Sequence, residues 1–122
     1  MDKRKENIMP YINVKTNAEI SKKIEVSLKD KIARAMEESF PGKTEDWLMV
    51  NIEGFCTMYL GGNDLPCAMF DVSIFGEQSD AAYAKMTEKL CAIAESELKV
   101  APDRVYVKYG EYTKWGWNNM NL

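Results

Sequence analysis

The sequence predicts an α+β domain in which a strand–helix–strand unit occurs twice. In each half of the chain, two stretches with an apolar residue at every second position flank a long helical pattern. In addition, "TEDWLMVNI" at 44–52 aligns with "APDRVYVKY" at 101–109, and the aspartates at 46 and 103 fall in register. The repeat predicts a four-stranded mixed sheet with two helices on one face, joined by right-handed crossovers, plus short extra strands.

The first half of the chain supplies two strands and one long helix. Residues 11–16 alternate between apolar and polar side chains, which predicts a strand. Apolar residues then recur at every fourth position as one stripe of a helix: Ile20, Ile24, Leu28, Ile32, Met36 and Phe40. Pro41 and Gly42 are typical of a helix end. Alternation returns over 47–53, and a further short strand is predicted at 58–60.

The second half repeats this order. Residues 68–74 alternate, and Ser79 with Asp80 is typical of a helix start. The apolar positions of this second helix are Tyr83, Met86, Leu90, Ile93, Ala94 and Leu98. Residues 105–109 alternate again, and the chain ends in the aromatic, glycine-broken segment "KWGWNNMNL".

Two helices on one face of a sheet leave the other face uncovered. That second face carries Met49, Met69 and Tyr106, which are not expected to remain in contact with water. Self-association through the sheets removes this exposure, so the sequence predicts an oligomer.

Composition excludes several classes of function. The 122 residues are 46% apolar with a net charge of −3, which is typical of one soluble globular domain and predicts no nucleic-acid and no membrane partner. The chain has no histidine, which excludes Ser–His and Cys–His nucleophile pairs and the usual metal sites, and no metal site or cofactor is predicted.

The opening "MDKRKENI" is followed by no apolar segment, so no signal peptide is expected. Cys56, Cys67 and Cys91 are widely spaced, which predicts reduced thiols in a cytoplasmic protein.

Four segments carry a specific resemblance. "MPYINVKTN" at 9–17, "GGNDLPCAMFDVSIFG" at 61–76, "PDRVYVKY" at 102–109 and "GWNN" at 116–119 together resemble the macrophage migration inhibitory factor (MIF) branch of the tautomerase superfamily. The resemblance runs from Met9 to Leu122. It implies a homotrimer of βαβ-repeat subunits and keto–enol tautomerisation of phenylpyruvate-like α-keto acids, with an N-terminal proline as catalytic base.

The implied chemistry requires Pro10 to be the first residue of the mature chain. A free α-amine has a pKa of about 7.7–8.0, close to working pH, whereas a proline nitrogen inside a chain is an amide without a basic lone pair. We therefore expect residues 1–9 to be a leader or a misassigned start, and residues 10–122 to be a single tautomerase domain. Lys5 and Glu6 can be encoded AAG-GAG, which resembles a bacterial ribosome-binding sequence ahead of a start codon at Met9.

The resemblance also assigns the charged and shared site residues. It implies that Pro10 is general base and acid and that Lys43 faces the substrate carboxylate. It further implies that a neighbouring subunit contributes its Tyr106 to the site. Lys108 stands where the family usually has asparagine, on the same strand face as Tyr106, and is expected to affect carboxylate binding or substrate range. The structural alternatives are a strand-opening proline, a solvated loop lysine and an interface tyrosine.

The remaining implied site residues are apolar and aromatic. Ile74 and Phe75 match the pair that flanks the pocket, and the backbone N–H of Phe75 is expected to hold the carboxylate. Tyr11, Trp115 and Trp117 are expected to form aromatic walls around a planar ring. For any one of them, ordinary core packing is an equally good explanation.

Other functions of the same fold are less well supported. The segment "CAMF" at 67–70 lacks the second cysteine of a CxxC motif, so thiol–disulfide exchange is not indicated. The arginines are only Arg4, Arg34 and Arg104, too few for the clusters of related dehalogenases and hydratases. Nothing specific indicates a decarboxylase. The main alternative is a cytokine-like ligand of a cell-surface receptor, exported without a signal peptide, whose pocket is vestigial.

Overall fold

The computed structural model describes residues 9–122, so the expected leader lies outside the described residues except for Met9. The sheet contains β1 (Pro10–Thr16), β2 (Met49–Glu53), β3 (Ala68–Phe75) and β4 (Val105–Tyr112). Two helices, α1 (Lys22–Ser39) and α2 (Asp80–Leu98), connect β1 to β2 and β3 to β4. The C-terminal tail forms the short strands β5 (Gly116–Trp117) and β6 (Met120–Asn121).

The four long strands lie in the order β2-β1-β3-β4 and form a mixed sheet. β1 is parallel to β2 and β3 is parallel to β4, whereas the central pair β1 and β3 is antiparallel. Each half of the chain is therefore one βαβ unit, and the two units join at the centre of the sheet. The tandem repeat, the mixed sheet and the short extra strands predicted from the sequence are confirmed.

Both helices are capped by a serine, Ser79 as predicted from the sequence and Ser21 as an addition from the structure. The Ser21 side chain accepts a hydrogen bond from the Ile24 N–H at 3.2 Å, and Ser79 accepts one from the Ala82 N–H at 3.0 Å. These bonds satisfy N–H groups that have no partner within the helix. The first helix thus begins two residues after Ile20.

The core lies between the sheet and the helix layer. Alternate residues of β1 and β3 are buried, as the period of two requires. The largest fully buried side chains come from both layers: Ile12, Val14, Phe70, Val72 and Ile74 from the strands, and Leu28, Ile32, Met36, Met86 and Leu90 from the helices. Neither helix within residues 9–122 is long and apolar enough to cross a membrane.

Three strand assignments differ from the sequence-based expectation. β2 begins at Met49 rather than at residue 47, because Glu45–Trp47 form a 3-10 turn. The strand expected at 58–60 is absent, and this region contains only an isolated bridge between Leu60 and Asn63. Side chains hold the segment instead, because the Arg104 guanidinium donates hydrogen bonds to four carbonyls, those of Leu60, Asn63, Leu65 and Pro66. β4 continues beyond residue 109 to Tyr112 because its ladder with β3 extends to Phe75.

The face of the sheet opposite the helices is exposed in the single chain. Met49 is 67% exposed and Tyr106 is 60% exposed on this face. The fold is compatible with a trimer that covers these side chains, and the trimer stays a prediction.

Candidate active site

The sheet topology brings the start of β1 to the same end as several distant segments. β1 and β2 run parallel and begin at this end, whereas β3 and β4 finish there. In the register of the sheet, Pro10 lies opposite Ile74, and Ile74 lies opposite Glu111. The loop from α1 to β2, which contains Lys43, approaches the same end because it leads into β2.

Pro10 is buried as the first residue of β1. The preceding Met9 is 4% exposed and has a φ of 38°. This backbone geometry is left-handed, which is uncommon for a methionine, and the residue before a proline normally adopts an extended conformation. The chain therefore enters Pro10 through a conformation that its residue types do not favour.

Lys43 is almost entirely buried, with 6% of its surface exposed. It follows the end of α1, where Gly42 adopts a φ of 80° and the Lys43 N–H donates a hydrogen bond to the Phe40 carbonyl at 3.1 Å. Burial lowers the pKa of the Lys43 ammonium because it disfavours the charged form. An anion placed beside a buried ammonium favours its charged form.

Ile74 and Phe75 point to opposite sides of the sheet. Ile74 is 1% exposed and belongs to the core between sheet and helices. Phe75 lies on the other side, and its ring lies 6.4 Å from the Trp115 ring, centre to centre. Phe75 thus contacts an aromatic residue of the tail, while the Ile74 side chain packs in the core.

The tail after β4 crosses this end of the sheet. Trp115 contacts Phe75 of β3, and Trp117 meets Trp47 edge to face, with ring centres 5.1 Å apart and planes at 78°. Trp47 immediately precedes β2, and β1 lies between β3 and β2 in the sheet. The segment from Trp115 to Trp117 thus passes the end of β1, where Pro10 begins the strand.

Tyr11 lies on the sheet face opposite the helices. It is opposite Met49 on one side and Ser73 on the other, and it is half-buried. It is the first residue of this face at the Pro10 end of the sheet, and it lies outside the core.

Tyr106 and Lys108 lie far from Pro10 within one chain. Tyr106 is opposite Met69, which is five residues along β3 from Ile74 and thus roughly 17 Å away at about 3.3 Å per residue. Lys108 is opposite Asp71, and its Nζ lies 3.5 Å from the Asp71 carboxylate. This separation is what a site shared between subunits requires, and the shared site itself stays a prediction.

Two aromatic residues at this end were not identified from the sequence. The sequence predicts only a strand for Trp47, and Tyr112 lies beyond the predicted end of β4. Tyr112 contacts Trp115 with ring centres 6.1 Å apart. No sequence pattern links Trp47 to Trp117, whereas a longer β4 would have brought Tyr112 opposite Phe75.

The described residues contain free cysteines and no metal-binding cluster. Cys56, Cys67 and Cys91 are free thiols. Within residues 9–122, no three His, Cys, Asp or Glu side chains are grouped so as to hold a metal ion.

Comparison with known proteins agrees with this geometry. The chain matches the family model described as macrophage migration inhibitory factor (MIF) over residues 9–120. It is 27% identical over 115 residues to macrophage migration inhibitory factor of Mus musculus, covering 90% of this chain and 96% of the mouse protein. It is also 27% identical over 104 residues to a macrophage migration inhibitory factor homolog of Brugia malayi, covering 83% of this chain and 86% of the other.

Solved structures support the same conclusion for the fold. The crystal structure of Leishmania major MIF2 superposes with a TM-score of 0.87 at 24% identity, covering 93% of this chain and 97% of the other. Since the family model spans most of its length, the chain belongs to the MIF family of the tautomerase superfamily.

Proposed function

We propose that this protein is a keto–enol tautomerase of phenylpyruvate-like α-keto acids, with Pro10 as base and acid and Lys43 as the carboxylate-binding residue. The proposal is supported by a buried Pro10 at the end of the sheet where β2 begins, and by a buried Lys43 in the loop that leads into β2. In this proposal Pro10 transfers the proton and Lys43 binds the anionic carboxylate.

The proposed reaction moves one proton between oxygen and carbon. In the ketonisation direction, the enol hydroxyl loses its proton, the carbonyl forms, and the neighbouring carbon gains a proton. A proline amine with a pKa near working pH can accept and donate in these steps. Burial and the positive charge of Lys43 both penalise the ammonium form of Pro10, which keeps part of the amine unprotonated at neutral pH.

The proposal requires a mature chain that begins at Pro10. Removal of Met9 would also remove a backbone conformation, with a φ of 38°, that is uncommon for a residue before proline. The family match, which begins at residue 9, supports this requirement. We propose that residues 1–9 are absent from the active form, through a start at Met9 followed by removal of that methionine.

The rest of the proposed site surrounds a planar substrate. Phe75 supplies a ring and a backbone N–H, and Tyr11, Trp115 and Trp117 supply aromatic surface. In the proposed homotrimer, Tyr106 and Lys108 reach the site from a neighbouring subunit. Lys108 brings a second cation, which favours substrates with a carboxylate.

The test compares three proteins in a phenylpyruvate ketonisation assay. The first begins at Pro10, the second is the complete chain 1–122, and the third carries Pro10→Gly at its first residue. We expect the second and third to be about 100-fold or more slower, the usual contribution of a general base or acid. Equal rates in all three proteins would contradict the role of Pro10.

Two further measurements complete the test. Intact-mass analysis of protein from its natural source should give a chain beginning at Pro10, and a mass that includes Met1 to Ile8 would refute the proposed start. Binding to a host cell-surface receptor, with no turnover by any of the three proteins, would favour the cytokine-like alternative.

A further inference from the structure

The ring of Tyr112 packs directly over Gly110 on β4. A β-carbon at this position would lie 2.9 Å from Cε2 and 3.0 Å from Oη of Tyr112. Residues 110 and 112 share one face of the strand, so the Tyr112 ring folds back over the glycine. Any larger residue at 110 must move the ring, which makes the pair Gly110–Tyr112 one structural unit.

The Tyr112 ring is the outermost of three aromatic rings joined by two consecutive contacts. Tyr112 contacts Trp115 with centres 6.1 Å apart and planes at 61°, and Trp115 contacts Phe75 at 6.4 Å and 34°. The backbone is also restrained, since the Gly76 N–H donates a hydrogen bond to the Tyr112 carbonyl at 2.8 Å. Tyr112 is 47% exposed, so its ring is held by these neighbours rather than by burial in the core.

We propose that Tyr112, whose ring packs over Gly110, is a positioning residue that holds Trp115 against Phe75. This arrangement favours aryl over aliphatic α-keto acids as substrates. The inference rests on the proposed function. A planar substituent gains from stacking on rings whose orientation is already fixed, because less conformational freedom is lost on binding. An aliphatic side chain gains little from that orientation.

The turnover test uses the chain that begins at Pro10, which contains every described helix and strand. We expect Gly110→Ala to reduce kcat/KM for phenylpyruvate about 5- to 15-fold, the worth of one or two aromatic contacts, mainly by raising KM. For 2-oxobutanoate, followed by hydrogen exchange at C3 in D₂O, the change should stay within about twofold. The variant should fold, because the crowded atoms are at the far end of a side chain that can rotate.

Two tyrosine variants show whether Gly110 acts through the ring. Tyr112→Ala should reduce kcat/KM for phenylpyruvate as much as Gly110→Ala does. Tyr112→Phe, which keeps the ring, should retain the preference for the aryl substrate. The double variant Gly110→Ala/Tyr112→Ala should be no worse than Tyr112→Ala alone. Equal losses for aryl and aliphatic substrates, or additive losses in the double variant, would overturn the inference.

A fluorescence measurement on the complete chain separates this inference from the proposed activity. Gly110→Ala should increase acrylamide quenching of tryptophan emission, and this increase should vanish in a Trp115→Phe background. Unchanged quenching would contradict the positioning of Trp115 by Tyr112. Absence of turnover with every substrate would contradict the proposed function, while the quenching result would still decide whether Tyr112 holds Trp115.

Discussion

Replacing Lys43 by methionine separates the proposed binding of a carboxylate from ordinary packing. Methionine retains most of the length and apolar surface of the lysine stem and removes the charge. Lys43 is 6% exposed, so water screens its charge weakly. A hydrogen bond to a charged group contributes about 1.5–3 kcal/mol, so kcat/KM for phenylpyruvate should fall about 10- to 150-fold.

The assay compares phenylpyruvate with its methyl ester, which lacks the negative charge. Lys43→Met should slow the acid and leave the ester nearly unchanged, because only the acid loses an ionic partner. Lys29→Met is the matched control, since Lys29 is about half-exposed on α1 and pairs with Asp30 and Glu45. An equal loss for acid and ester, or an equal loss in the Lys29 variant, would refute the reasoning.

The pH dependence of the same comparison has a definite sign. Because burial lowers the pKa of Lys43, its ammonium loses its proton below the usual 10.5. A carboxylate binds the protonated form, so KM for the acid should rise as pH increases through the lowered pKa. The ester and the Lys43→Met variant should not show this rise.

Three further predictions concern stability. Thr16→Val should cost about 2–4 kcal/mol in urea unfolding, because the buried Thr16 hydroxyl donates to the Cys67 carbonyl at 2.7 Å and accepts from a backbone N–H. Thr16→Ser keeps both bonds and should cost about 1 kcal/mol; equal losses would contradict this. Arg104→Lys should increase hydrogen exchange over 60–66, because an ammonium cannot reproduce the guanidinium fork, and unchanged exchange would count against it. Burial and a hydrogen bond to Glu111 raise the pKa of Tyr83, so its stabilisation is full below about pH 10 and is lost as pH rises through the raised value. The advantage of wild type over Tyr83→Phe in thermal melts should therefore shrink above that pH, and a constant difference would disprove this.

Local sequence patterns were sufficient for the regular elements. Both helices carry an apolar stripe and a serine cap, and β1 and β3 alternate strictly because one face of each packs on the helices. The prediction was wrong at 58–60, because a segment of three residues is too short to show a period. That segment is held by long-range bonds from Asn17 and Arg104, which no local pattern reveals.

The candidate site was predictable in part for the same reason. The family resemblance selected Pro10, Lys43 and Phe75, and the fold brings the segments that carry them to one end of the sheet. Tyr112 was identified neither by the resemblance nor by the strand pattern, because Gly110 and Glu111 interrupt the apolar alternation that marks a strand. The Tyr112 ring can pack over Gly110 only after β4 has formed.

The sequence by itself determined the order and type of the elements, the repeated unit and the family, because these depend on side-chain period, capping and motif spacing. Only the tertiary structure decided which distant residues meet. Trp47 and Trp117 come into contact because β2, β1 and β3 lie side by side while the tail crosses their ends. Such contacts depend on the order of the strands and the path of the tail, which interactions between neighbouring residues in the sequence do not specify.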